Sequence, residues 1–322
     1  MTKIITLEDL CGKEAKAKFI DRIINDSQCK NKIGTETELL LYDHSKPDGF
    51  PTHDQIGILF QNISAELGKS GYAVEHKSQD ITHGFNYSLD GGSGAICLDV
   101  STGQLEISGI PHNSIKGTHL ENVNLIAHIK EYTNNQDINL LGLGLRPGLE
   151  DIPRSLKDII NRPERYSEVF VDRYQDTLAY NAVNHAFHVN IGVSVDDAID
   201  ALQLFTLASP AIISLFANSH LEGLASFREY CWHKLEVVDN ENYVPFNDQS
   251  NRIGLFPQFL DFSTGEEGFR QYLDHLFTVS PFLTVYHDKT VHIPELSRSD
   301  FNGLKQELHE NKNNVLDTTF AY

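Results

Sequence analysis

Ile33-Gly-Thr-Glu36-Thr-Glu38-Leu-Leu-Leu-Tyr42 is the stretch on which the reading of the fold turns. The segment Lys32–Tyr42 is predicted as a β-strand that ends in the Pro-, Gly- and Asp-rich loop Asp43–Pro51. In a strand, residues two apart share a face, so the carboxylates of Glu36 and Glu38 project together. Ile33 and the apolar run Leu39–Leu41 flank them, where an ordinary core strand would keep one face apolar. Two like charges at close range raise each other's pKa unless a cation neutralises them. A divalent metal accounts for the pair economically; a solvated strand face with ordinary surface glutamates is the alternative.

The whole chain is 322 residues, 40% hydrophobic, 10% aromatic and 22% charged, which is globular composition and excludes disordered and fibrous classes. Its 45 Asp+Glu against 26 Lys+Arg give a formal charge of −19. Such a surface repels phosphate backbones, so nucleic-acid and anionic-membrane partners are not expected. A small anionic substrate held through divalent cations is compatible with it, because a metal inverts the local field. Cys11, Cys29, Cys97 and Cys231 form no CxxC or zinc-like spacing, which suits idle thiols in a reducing cytoplasm. The N-terminal residues turn acidic too soon for a signal peptide. Ala201–Ser219 is uncharged but carries Gln203, Pro210 and Asn218, and is read as a buried core helix kinked near Pro210 in a soluble protein.

Helices are predicted through the first thirty residues and at 55–68, 117–135, 155–180, 195–216 and 269–277. Several short strands are expected between Tyr72 and Ser108, among them a hairpin of Ile96–Val100 and Gln104–Ser108 about Ser101–Thr102–Gly103. Phe187–Val193 alternates as a strand, and Leu283–Tyr286 and Val291–Ile293 are shorter ones. Leu235–Asn251 is polar and loop-like, and the last twenty residues look poorly ordered or incomplete. Long helices mixed with hairpin strands predict a single α+β domain over residues 1–322 with an antiparallel sheet. Asp90-Gly-Gly-Ser-Gly94 lacks the Lys of a phosphate-binding loop and is read as a mobile loop over the site, with a plain flexible turn as the alternative. Asp196 and Asp197 suit a helix N-terminus, and His83, His112, His119 and His185 are set aside as ordinary histidines.

Other residues join the glutamate pair. Asp99 and Glu106 fall on opposite arms of the hairpin, and His188-Val-Asn190 places an imidazole and a carboxamide on one strand face. This mixture of hard and borderline ligands suits Mg²⁺ or Mn²⁺. In order along nearly the whole chain, these segments resemble the glutamate–cysteine ligase-like carboxylate–amine ligases, especially the branch with the plant-type enzymes. Ile33-Gly-Thr-Glu36-Thr-Glu38 resembles the family's Gly-x-Glu-x-Glu strand, and Asp99 with Gln104-Leu-Glu106-Ile-Ser-Gly109 its acidic hairpin. His188-Val-Asn190, Leu215–Ser219, Glu222-Gly223, Ser226-Phe-Arg228 through Trp232, Asn251-Arg252-Ile-Gly254 and Phe269–Asp274 follow in the family's order.

The resemblance implies a funnel of antiparallel strands with helices outside, like the catalytic sheet of glutamine synthetase. ATP would enter with two or three Mg²⁺ at the acidic end. The γ-carboxylate of glutamate would be activated as an acyl phosphate and joined to an amine, most simply cysteine, in the cytoplasm. Glu36, Glu38, Asp99, Glu106 and His188 would hold metal, and Asn190 would support that shell or the nucleotide. Arg228 and Arg252 would engage the phosphates or a substrate carboxylate through their guanidinium forks, with a structural ion pair as the alternative for each. Trp232 walls the pocket or packs in the core.

The chain departs from the family pattern at its end. The Glu-x-Arg strand does not appear before Asp317–Tyr322, and Pro294-Glu295-Leu-Ser-Arg298 has the wrong spacing. A fragment, a short enzyme completed by another chain, and a nucleotide-binding relative that does not ligate all fit that departure. His188 stands where the plant-like branch often has Gln, which leaves the amine substrate open between cysteine and another amine. The sequence fixes no oligomeric state.

Overall fold

The predicted central strand is β1, Ile33–Asp43, in a computed structural model that describes residues 12–25, 31–76, 84–147, 182–221, 223–224, 226–228, 261–277, 283–286, 289–292 and 306. Along one side β1 pairs antiparallel with β5 (Gln104–Ser108), placing Glu36 opposite Ser108, Glu38 opposite Glu106 and Leu40 opposite Gln104. Its other side is shared. β7 (Phe187–Ile191) pairs with residues 33–37 and β6 (Ile138–Leu141) with residues 40–43. Outward from β5 follow β4 (Gly92–Leu98), β3 (Gly84–Leu89) and β2 (Ala73–His76), completing a seven-stranded antiparallel sheet. The α+β class with an antiparallel sheet is therefore observed.

Strand alternation divides the sheet into two chemically different faces. Leu39, Leu41, Phe85, Tyr87, Ile96, Leu98, Leu105 and Ile107 are buried in one core cluster. Two helices cover that face, α2 (His53–Lys69) and α3 (Ile115–Asn134). α2 contributes Ile56, Leu59, Phe60, Ile63 and Leu67, a repeat of three and four residues that forms one apolar stripe. Phe60 meets the Phe85 ring edge-on at 6.0 Å between centroids. Both helices begin two residues before their predicted starts because hydroxyl caps lie further upstream. Thr52 and Gln55 form a reciprocal capping box, and the Gly117 N–H donates to Ser114 Oγ at 3.1 Å. α3 is docked onto β1 by Thr118 Oγ1 donating to the Ile33 carbonyl (2.9 Å) and Asn122 Nδ2 to Thr37 Oγ1 (2.9 Å).

Two expectations are corrected. Asp90–Gly94 is not a loop over the site, and the turn given as the alternative holds for its first two residues: Leu89 pairs with Gly92, so Asp90-Gly91 is a two-residue hairpin turn and Gly92–Gly94 belong to β4. Both turn residues have positive φ, 52° and 80°, which the primed hairpin turns require and Asp-Gly supplies. Gly94 answers to packing, since a Cβ there would overlap the Tyr87 ring. The second correction concerns α4, Val195–Phe216, whose boundaries match the prediction. It runs unbroken through Pro210, yet only Ala198 and Ile199 are buried, and Leu204, Leu207, Leu215 and Phe216 are exposed. Among the described residues α4 is the one helix long and apolar enough to cross a membrane, and 6% of its most apolar window is buried. The expected core helix is thus not a core helix within the described structure. Its start matches expectation: the Asp197 N–H donates to Ser194 Oγ, and Asp196 and Asp197 sit in the first, positive turn.

The remaining elements are α1 (Lys13–Asn25), α5 (Gly265–Leu276) and the hairpin β8 (Leu283–Tyr286) with β9 (Lys289–His292). α1 lies against α5 and the Phe277 that caps it, through the Lys16–Asp274 ion pair (2.7 Å) and the Phe19–Phe277 edge contact. The predicted helix 155–180, the loop 235–251 and the last sixteen residues lie outside the described residues.

Packing predicts a contrast on α2. Phe60→Ala should lower the free energy of urea unfolding by about 3–5 kcal/mol, the cost of emptying a buried aromatic site. Ile58→Ala, on the exposed face of the same helix, should change it by no more than about 0.5 kcal/mol.

Candidate active site

The face of the sheet away from α2 and α3 collects the polar residues. The strand order β4-β5-β1-β7 sets Cys97, then Glu106 and Ser108, then Glu36 and Glu38, then His188 and Asn190 side by side. Glu36 sits opposite His188 across β1 and β7, with His188 Nδ1 3.0 Å from Glu36 Oε2 and Asn190 Nδ2 donating to Glu36 Oε1 at 3.1 Å. Glu106 Oε1 accepts from Ser108 Oγ at 2.7 Å. Glu38 Oε2 accepts the backbone N–H of Ala186 at 2.7 Å. Asp99 lies just past the end of β4, where its N–H donates to the Gln104 carbonyl (3.1 Å). Beside this acidic band the same face forms a groove of about 840 Å³ floored by Gly34, Ser88, Ala95 and Ser108 and edged by Glu36 and Asn190.

Electrostatics mark Glu38 as the crowded member. Burial, then the neighbouring Asp99 charge, push its carboxyl up to about 7 against the pull of His188, the Ala186 N–H and Arg228. Glu106 stands directly opposite Glu38 across the strand pair, and like charges so placed destabilise a sheet. A divalent cation removes that penalty, and carboxylate oxygens with one imidazole are donors that Mg²⁺ or Mn²⁺ accepts. The residues present therefore fit such an ion in chemistry. As the side chains stand, no three His, Cys, Asp or Glu among the described residues converge on one point. Glu36 is held by His188 and Asn190, and Glu106 by Ser108, so these carboxylates would turn from protein donors toward a cation.

Below the acidic band, residues 182–186 lie against the turn at 101–104. Ser101 Oγ donates to the Ala182 carbonyl (3.1 Å) and Gln104 Nε2 to the Asn184 carbonyl (2.6 Å). His185, set aside in the sequence reading, is 2% exposed here, with Nε2 3.4 Å from the Gly103 carbonyl. Burial and the nearby Arg146 charge bring its pKa down to about 4. Arg146 is itself buried between the Tyr42 and Phe50 rings (5.0 and 3.8 Å), and Nη2 donates to the Asp48 carbonyl. Burial lowers its pKa to about 10, which leaves it charged.

The structure thus assembles Glu36, Glu38, Glu106, His188 and Asn190 on one face with Asp99 at its edge. Arg228 comes near enough to bias Glu38, and its N–H donates to Ser219 Oγ. Arg252 and Trp232 lie outside the described residues. The sequence reading missed the Ala186 N–H, a backbone donor with no signature, and Gln104. The alternation of Gln104, Glu106 and Ser108 was the available signal for the latter.

The chain is an α+β protein whose antiparallel sheet has one packed face and one acidic face. Residues 32–285 match glutamate-cysteine ligase family 2, and the chain belongs to that family. It is similar to the chloroplastic glutamate–cysteine ligases of Solanum lycopersicum, 27% identical over 318 residues, and Nicotiana tabacum, 26% over 293 residues. Those alignments cover 93% and 86% of this chain but 52% and 50% of the relatives. A third, glutamate–cysteine ligase B of Oryza sativa subsp. japonica, is 25% identical over 316 residues, covering 94% of this chain and 55% of the relative. The chain spans about half the length of the curated relatives it matches.

The buried His185 generates a pH prediction. Its folded pKa, about 4, lies below the ordinary 6.5, so the native state favours the neutral ring. The unfolded chain therefore binds more protons between these values. Stability from this residue is complete above about pH 6.5 and is lost as pH falls toward 4. Wild type should lose about 3 kcal/mol more than His185→Gln across that window, measured by urea unfolding at a series of pH values.

Proposed function

We propose that this chain is an ATP- and Mg²⁺-dependent carboxylate–amine ligase that activates the γ-carboxylate of glutamate and joins it to cysteine. The observation that carries this reading is the placement of Glu36, Glu38, Glu106 and His188 on one sheet face, in a chain of glutamate-cysteine ligase family 2. Chloroplastic glutamate–cysteine ligases among its relatives support the choice of substrates.

In this reading Glu36, Glu38, Asp99, Glu106 and His188 hold the cations, which supply charge neutralisation for the triphosphate. Phosphoryl transfer asks mainly for alignment and charge stabilisation, and carboxylates fixed on packed strands provide both. A glutamate γ-carboxylate oxygen attacks the terminal phosphorus and ADP leaves. The neutral amine then attacks the acyl carbon, phosphate leaves with the C–O electron pair, and the amine proton is lost to solvent or base. Asn190 supports the metal shell or the nucleotide in the adjoining groove. Arg228 and Arg252 bind phosphate or the substrate carboxylate. The sheet closes into a funnel around these substrates, and the chain works in a reducing cytoplasm where cysteine stays a thiol.

Purified chain given ATP, Mg²⁺ and glutamate should release ADP when cysteine is added, and mass spectrometry should find γ-glutamylcysteine. ADP release with another amine but not with cysteine would move the reading to a related ligase. Absence of turnover in a chain that binds Mg²⁺ and ATP would make it a nucleotide-binding relative. The double variant Glu36→Gln/Glu38→Gln should lose Mg²⁺-dependent ATP binding, read by calorimetry, while still unfolding near the wild-type denaturant concentration, because the crowded Glu38 charge is gone and a glutamine oxygen at position 36 can still accept from Asn190. Retained binding in that variant would overturn the site assignment.

A further inference from the structure

We infer that Gln104 is a positioning residue that ties the two walls of the acidic site together, an inference that rests on reading that face as a cation site. Gln104 is 1% exposed and shares its strand face with Glu106 and Ser108. Its side chain works in two directions. Oε1 accepts the N–H groups of Val100 (3.2 Å) and Ser101 (3.1 Å), closing the turn that leads out of Asp99. Nε2 donates to the Asn184 carbonyl at 2.6 Å, on the segment that leads into β7. The main chain of Gln104 completes the clamp, accepting from the Asp99 N–H (3.1 Å) and donating to the Ser101 carbonyl (3.0 Å).

Each end of this clamp leads directly to a proposed ligand. On one side the ligand is Asp99 itself. On the other, Asn184 is two residues from Ala186, whose carbonyl accepts the Glu38 N–H (2.8 Å) and whose own N–H donates to the Glu38 carboxylate (2.7 Å). His188 follows two residues later. Asp99 follows β4 and Glu38 lies on β1, and Gln104, on β5 between those strands, is bonded to the turn after Asp99 and to the segment that holds Glu38. A glutamine is the side chain that supplies an acceptor to one wall and a donor to the other at this reach. Glutamate would keep the acceptor but lose the donor and set a charge against the Asn184 carbonyl. Methionine would lose both.

The test uses the full chain, titrating MgCl₂ at fixed ATP by calorimetry in wild type, Gln104→Glu and Gln104→Met, with thermal unfolding measured alongside. Partners that orient metal ligands typically contribute about tenfold to a hundredfold in metal affinity. The half-saturating Mg²⁺ concentration should therefore rise by about that factor in both variants, while ATP affinity at saturating Mg²⁺ stays within about twofold of wild type. Ser101→Ala, which removes the Ser101 hydroxyl's bonds to the Ala182 carbonyl and from the Gly103 N–H but leaves the Ser101 N–H to Gln104 in place, should lower the unfolding temperature and leave half-saturating Mg²⁺ unchanged. A wild-type chain without Mg²⁺-dependent ATP binding overturns the cation reading of the face. A wild type that has it, beside folded Gln104 variants with the same Mg²⁺ requirement, overturns the role of Gln104 alone. Failure of both variants to fold also overturns it, since Gln104 would then belong to the fold and not to the site.

Discussion

Repulsion between carboxylates held at the fixed spacing of a β-sheet is the constraint around which this molecule is arranged. Strands lie about 4.8 Å apart, register sets Glu38 against Glu106, and burial with the neighbouring Asp99 charge pushes the Glu38 carboxyl up to about 7. A flexible scaffold would relieve the strain by moving apart. This sheet does not yield easily, because its other face is packed against two hydroxyl-capped helices through a continuous apolar cluster. The packed face thus keeps the acidic face crowded, and crowded carboxylates are what a divalent cation binds best.

The support beneath that face is polar and buried, which is costly for an unpaired polar group and more so for an unpaired charge. The 182–186 segment meets part of that cost, although the Asn184 carboxamide and His185 Nδ1 are buried without a hydrogen-bond partner. Its carbonyls at Ala182 and Asn184 are taken by Ser101 and Gln104, and His185 stays neutral, held so by burial and by the Arg146 charge. Arg146 keeps its charge by lying between two aromatic rings and against a backbone carbonyl. The 101–104 turn thus reaches the 182–186 segment through two separate side chains, Ser101 at Ala182 and Gln104 at Asn184.

Much of this was legible in the chain, and the gaps have physical causes. β1, α2, α3 and α4 were bounded to within two residues because each has a clear period; the helix starts slipped where the capping hydroxyl, not the first apolar residue, begins the element. Asp90–Gly94 read as a loop because glycines signal flexibility, whereas Gly94 is small to let the Tyr87 ring pass and Asp90-Gly91 turns in two residues. α4 read as core because its composition is apolar, but composition says nothing of what lies against it, and the described structure buries only Ala198 and Ile199 within it.

The sequence alone determined which residues share a face. Two-residue alternation is a local property of a strand, so Glu36 with Glu38, and His188 with Asn190, could be paired before any fold was known. Which strands are neighbours, and in what register, was decided by the tertiary structure. Setting Glu36 against His188 joins residues 152 positions apart, and no local periodicity encodes such a distance. The same holds for the backbone N–H of Ala186 on Glu38 and for Gln104 reaching Asn184. In each a side chain meets a main-chain group with no sequence signature of its own, and only the folded path of the chain selects which one.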